Sequence, residues 1–360
     1  MPQTWTGALR GLVLFDIAEA IQLDAVRPAA HGEVREPKFA RPTPEYVRFA
    51  RAPVEERLGA LDPGTDESYD VRLRYYDVGV VCVEFELHVE GEWGRWLGLS
   101  ARWFAQVDSF VRRAEELVRA AAVRHSAAIV KPYDAWVNED YLVLFVQRTG
   151  NVSAQELLAE SGSEIARLVR GESQALSAQE MEEILSTARS YYPNDLLVTG
   201  WGAAFVFDDA ALAAPTLQLL EHANLQLLEF RRYDDILTRV LAEVYRLMDL
   251  GTGPLQRWRF RKEAARLNSI RLDVVELAER QDNSIKFLSD MFEARVYRLM
   301  LQRVGANDWR DLVDEKLKTG RELYEFLISE FHHTRAFLME LMIVVILIID
   351  LYYLFREKGL

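Results

Sequence analysis

Hydrophobic and polar positions fall into two textures along the chain. Up to about residue 208, short apolar runs alternate with polar turns and brief helical patterns. Gly11 to Phe15 predicts a short strand, with a helix-like turn through Ile17, Ala20 and Ile21 after Asp16. Residues 27–68 carry Pro28, Pro37, Pro42, Pro44, Pro53 and Pro63 among many charges, which predicts a long irregular connection. Val71 to Tyr76 and Val78 to Val89 read as β segments. In the second, Val83, Phe85, Leu87 and Val89 share one face, and Glu84, Glu86 and His88 the other. That polar face is expected to be solvated; the alternative is a set of ligands for one divalent metal. Trp93, Trp96 and Trp103 precede or enter a helix reaching about Val123 and are expected to pack beneath the sheet. Tyr141 to Val146 reads as a buried strand. Two copies of Ser-Ala-Gln-Glu, at Ser153–Glu156 and Ser177–Glu180, have capping-box spacing and predict helices over about 154–170 and 178–190. Leu196 to Val198 and Ala203 to Phe207 return to strand character around a Gly200-Trp201-Gly202 turn. The expectation is an α+β domain over residues 1–208.

Beyond it strands disappear. Apolar positions recur at helical spacing from Pro215 through Leu247, from about Pro254 through Leu299, and from about Asp308 onward. Leu267, Ile270, Val274 and Leu277 keep the three-four spacing of a coiled-coil seam. Residues 209–335 are therefore predicted to form long antiparallel helices, a coiled-coil-like stalk.

Residues 336–355 then read as a single C-terminal transmembrane helix, with 356–360 as a short tail. Leu341 to Ile349 is an unbroken apolar run, and twenty residues of helix reach about 30 Å. The Leu, Ile, Val and Phe side chains favour insertion by roughly 4 to 8 kcal/mol, against about 2.5 to 3.5 kcal/mol for each acid placed centrally. Glu340 and Asp350 lie away from the midpoint, so the arithmetic favours a membrane anchor. The first apolar run, Leu12 to Phe15, is too short for a secretory signal, so the bulk of the chain is expected to be cytoplasmic.

Composition narrows function more by exclusion than by assignment. Half the residues are hydrophobic and the net charge is −13, which argues against DNA or RNA as a general partner. The single cysteine, Cys82, excludes an internal disulfide or a cysteine metal cluster. No nucleophile triad, phosphate loop or metalloprotease motif stands in the sequence, and no cofactor is expected.

Three segments, Ala223 to Asp235, Leu267 to Asp273 and Met339 to Val345, resemble in order and spacing the required-for-meiotic-nuclear-division family. The resemblance covers roughly residues 195–355. It implies an α/β region joined to long C-terminal helices and a terminal membrane span, in a membrane-tethered homo-oligomer without an established catalytic activity.

The leading expectation is a non-enzymatic scaffold. It would be homo-oligomeric through helices 215–335, bound to a lipid bilayer, and recognise a protein partner through its N-terminal domain. Glu340, Leu341, Val344, Leu347, Ile348 and Asp350 are the expected anchor and oligomer contacts. Arg257, Arg259, Arg261 and Lys262 form a basic cluster suited to lipid or partner contacts, or to a solvated or intersubunit salt-bridged face. An alternative is an oligomeric channel in which Glu340 and Asp350 form two acidic rings. A third is a metal-dependent enzyme using Glu330 and His333, whose spacing places both on one helix face.

Overall fold

The computed structural model describes residues 3–26, 53–65, 67–148, 150, 152–249, 266, 269–272, 274–275 and 291–357. The chain divides into two compact units. The first comprises residues 1–232 and 277–310, the second 233–276 and 311–360.

The first unit is built on a seven-stranded sheet. Its strands are β1 (Trp5–Ile21), β2 (Val54–Leu61), β3 (Tyr69–Tyr75), β4 (Val80–Gly91), β5 (Ile129–Gln147), β6 (Leu196–Thr199) and β7 (Ala203–Asp208). The spatial order is β2-β3-β4-β1-β5-β7-β6, with only the β5–β7 pair parallel. Helices α1 (Trp93–Arg124), α2 (Ala154–Arg170) and α3 (Ala178–Leu185) follow β4 and β5 in the chain. They share one apolar core with one face of the sheet, around Trp5, Phe85, Trp96, Trp103, Phe110, Ile165 and Phe205. The opposite face packs on α4 (Ala210–Asp249) and α5 (Met291–Arg303) through Leu12, Leu14, Tyr141, Val143, Leu220, Leu228, Tyr297 and Met300. Both faces are thus covered, and alternate residues of each central strand enter different cores.

The strands β3, β4, β6 and β7 fall where alternation and apolar runs predict them, whereas β5 begins at Ile129, well before the predicted Tyr141 to Val146. β1 is much longer than expected: its second half, read as a helical turn, continues the strand through a register shift between Asp16 and Ala18. Such a bulge changes which face a side chain enters, which destroys the simple alternation that identifies a strand. β2 lies inside the proline-rich segment that predicted only irregular chain. It is an edge strand, bounded by Pro53 and Pro63, whose apolar Val54, Leu58 and Leu61 are separated by charged and small residues without strict alternation, and so carries little strand signature.

Two glycines are fixed by close approach. An ideal Cβ on Gly11 would stand 2.0 Å from the Trp103 ring, so the strand passes over the indole only without a side chain. Gly79 in the β3–β4 turn has φ +90, and its carbonyl accepts from Ile17 N at 3.0 Å. The three tryptophans pack as expected: Trp96 and Trp103 are buried, and Trp93 stacks tilted on Trp5 at 4.9 Å. The capping box at Ser153 is complete, with Glu156 N donating to Ser153 Oγ at 3.1 Å and Ser153 N to Glu156 at 2.9 Å. At Ser177 only the first bond forms, from Glu180 N at 3.2 Å.

Helix α4 begins five residues before Pro215; Leu212 N and Ala213 N donate to the Asp209 carbonyl. Pro215 is thus the sixth residue of the helix, not its first as the pattern predicts, and its missing N–H removes the bond that would go to the Ala211 carbonyl. In the second unit, the end of α4, the residues around 270 and the start of α6 (Ala306–Glu357) share a small core. Leu237, Val240, Ile270, Val274 and Val313 form it, and Lys316 Nζ reaches Asp234 at 2.6 Å.

α6 is long, 52 residues, but among the described residues no helix is long and apolar enough to cross a membrane. The predicted transmembrane helix over 336–355 is therefore corrected, and with it the tail anchor and the membrane localisation. Acids bracket the run: between Glu340 and Asp350 the unbroken apolar helix extends only about 14 Å, half of a bilayer core. The channel alternative needs the same span and is withdrawn with it.

Candidate functional site

The polar face of β4 is solvated only at its His88 end. Glu84 and Glu86 are buried, and α4 brings Glu221 to the same face. Three arginines from neighbouring strands neutralise these acids. Arg10 of β1 lies 3.6 Å from Glu84 and 3.7 Å from Glu86. Arg72 of β3 bonds Glu86. Arg74, also of β3, bonds both Glu84 and Glu221 and approaches Glu55 of β2 at 3.5 Å. The Tyr76 hydroxyl donates to Glu221.

Strand geometry explains the convergence. Residues 72, 74 and 76, 84 and 86, and 10 all point to one side because the registers Arg72↔Glu84, Asp70↔Glu86 and Arg10↔Glu86 hold the pleats in phase. A buried charge without a partner costs several kcal/mol, so four glutamates and three arginines persist here only as a lattice. Burial alone would lower the pKa of Arg74; Glu221 foremost, then the other neighbours, reverse that and hold it above its usual value. Burial lowers Arg10, with Glu86 acting in the opposite direction. Burial, then Glu221, pushes the Tyr76 hydroxyl and the Cys82 thiol well above their ordinary ranges. Cys82 is a buried, unreactive member of this face.

A second polar node lies on the opposite face. Glu56 of β2 is fully buried; it accepts from Tyr75 Oη at 2.6 Å and Arg124 Nη2 at 2.9 Å, with His125 Nε2 at 3.4 Å. These side chains tie the edge strand to the C-terminal end of α1. Burial, then Glu56, raises the Tyr75 hydroxyl. All of these groups face each other rather than a cleft, so the node reads as a fastening.

Val344, Leu347 and Ile348 are exposed on α6, within a run from Met342 to Ile348 in which every residue is 47–64% exposed. The side chains of Glu340, Leu341 and Asp350, and those of Glu330 and His333, lie outside the described residues, as do Arg257, Arg259, Arg261 and Lys262. His88 is exposed, 3.8 Å from Glu86. Among the described residues no group of three or more His, Cys, Asp or Glu is arranged to hold a metal ion. Sequence reasoning missed the arginines. Their signal was the alternation Arg72-x-Arg74 beside Glu84-x-Glu86, opposite charges on paired strands.

Fold and site together define an α+β module whose sheet is covered on both faces and whose buried glutamates Glu56, Glu84, Glu86 and Glu221 pair with arginines of the same module. Residues 6–213, more than half of the chain, match the family described as "Uncharacterized protein MJ0711, N-terminal domain", and the chain belongs to that family. A curated relative, "Uncharacterized protein MJ0711" of Methanocaldococcus jannaschii, is 18% identical over 194 residues. The alignment covers 54% of this chain and 59% of that protein, so the chain spans less than two thirds of its relative. No solved structure matches.

Proposed function

We propose that the protein is a non-enzymatic, self-associating scaffold. Its sheet module recognises a protein partner and its long helices gather copies of the chain, as the resemblance to the required-for-meiotic-nuclear-division family implies. The observation that carries this reading is the exposed run Met342–Ile348 on α6. Seven consecutive residues cover nearly two full turns, so the helix is apolar around its whole circumference there. A helix apolar on all sides is normally enclosed. Enclosing one Val, Leu, Ile or Met side chain is worth about 1.5–3 kcal/mol, so several together outweigh the cost of association. The same helix in further copies of the chain supplies matching apolar turns without requiring any other component.

Spin labelling tests this. Cys82 is the only cysteine and is buried, so a Cys82→Ala background with Val345→Cys places one nitroxide on the run. Dipolar broadening that vanishes on dilution with unlabelled chain is the expected result. Spectra indifferent to such dilution would remove the proposal.

A further inference from the structure

The loop between β2 and β3 meets α1 where that helix bends. Inside α1 the backbone leaves helical geometry at Gln106, with φ −121 and ψ 16. In the loop, Asp62 Oδ1 accepts from Gly64 N and from Thr65 N, each at 2.8 Å. Ser109 Oγ of α1 donates to the Pro63 carbonyl at 3.1 Å. The loop is thus fastened both to itself and to α1, and Gly64 turns it with φ +97.

Between loop and helix lies a cavity of about 390 Å³, bounded by Gly64, Thr65, Glu67, Arg102 and Gln106. Ligand cavities begin at about 300 Å³ and are mostly apolar. Here the lining side chains are a hydroxyl, a carboxylate, a guanidinium and a primary amide, so the space suits a small polar ligand.

Arg102 Nη1 and Glu67 Oε1 stand 3.6 Å apart, longer than a hydrogen bond, and their side chains are 40% and 32% exposed. Each charge therefore keeps room for a second partner. Thr65 is buried, 7% exposed. Its hydroxyl sits beside that of Tyr69, yet among the described residues it meets no partner at hydrogen-bonding geometry. A buried hydroxyl left in that state marks a missing polar neighbour.

The two charges restrict what can enter. A lone carboxylate on Arg102 would meet Glu67, and a lone ammonium on Glu67 would meet Arg102. A ligand carrying both charges on one carbon avoids each repulsion. We propose that this cavity binds a free α-amino acid with a polar side chain. Arg102 holds the carboxylate, Glu67 holds the ammonium, and the Gln106 amide, donor and acceptor at once, takes the side chain. Binding there requires no self-association through α6.

Titration calorimetry of the full chain tests this, with L-glutamine, L-asparagine, L-serine and L-threonine as probes and acetate and methylammonium as single-charge controls. At least one of the four amino acids is expected to bind, with each control weaker by about tenfold or more. Arg102→Gln and Glu67→Gln should each weaken that amino acid by about tenfold. No binding by any of the four up to about 10 mM, or acetate binding as tightly as the amino acid, would overturn the proposal. So would unchanged affinity in either variant. If a variant fails to fold, nitrogen-15 amide shifts of the unaltered chain decide on addition of the amino acid that binds. Changes centred on residues 64–67 and 102–106 support the site, and changes confined elsewhere overturn it.

Discussion

Arg74 of β3 and Glu221 of α4 are 147 residues apart in sequence and meet in a buried ion pair. The contact does two jobs. It neutralises an arginine that Glu84 and Glu55 also surround, and it fixes which turn of α4 lies over the charged half of the sheet. Apolar packing alone tolerates sliding of a helix on a sheet; a directional charged bond penalises it.

Removing one partner from this lattice leaves buried charge uncompensated. Glu221→Leu is expected to destabilise the fold by about 3–5 kcal/mol, read as a lower midpoint in urea unfolding. The surface pair Arg119–Glu115, separated in the same way, should cost less than about 1 kcal/mol.

Gly11→Ala forces a methyl group into the Trp103 ring. Overpacking of this kind is expected to cost about 1–3 kcal/mol, with a blue or red shift of tryptophan emission as the indole moves. Gly94→Ala, on α1 with open space around it, should instead be neutral or stabilise by up to about 1 kcal/mol.

The two serine caps should differ. Ser153→Ala removes a reciprocal pair of bonds and is expected to cost about 1–2 kcal/mol, whereas Ser177→Ala removes a single bond and should cost about half as much. Thermal unfolding followed by circular dichroism ranks the two.

Global stability should carry a signature of the buried Asp16 carboxyl. Its folded pKa of about 7 lies above the unfolded value of 3.8, so the native state binds the proton more tightly. That contribution is fully present below pH 3.8 and is lost as pH rises through about 7. The stability difference between the unaltered chain and Asp16→Asn should therefore shift toward the variant between those values. Urea midpoints measured across that window check it.

What was legible in the sequence was local. β4 announces itself by alternation, α2 and α3 by their caps, and the Gly200–Gly202 turn by its glycines. What could not be read depended on distant chain. Glu84 and Glu86 look solvated until α4 arrives to cover them, and nothing near residue 84 signals that Glu221 will. β1 hides its length because the bulge after Asp16 breaks the pattern, and β2 because an edge strand needs no continuous apolar face. The terminal segment misled for a different reason. Summing residue hydrophobicities across 336–355 counts apolar side chains without asking whether they are contiguous, and Glu340 and Asp350 confine them to a short run.

The central claim, that this apolar turn gathers copies of the chain, is tested most directly by sedimentation equilibrium of the full-length protein. The account predicts a mass that is a multiple of 41.4 kDa and returns to 41.4 kDa when Val344, Leu347 and Ile348 are each changed to Glu. A mass of 41.4 kDa for the unaltered chain at every concentration measured would contradict it.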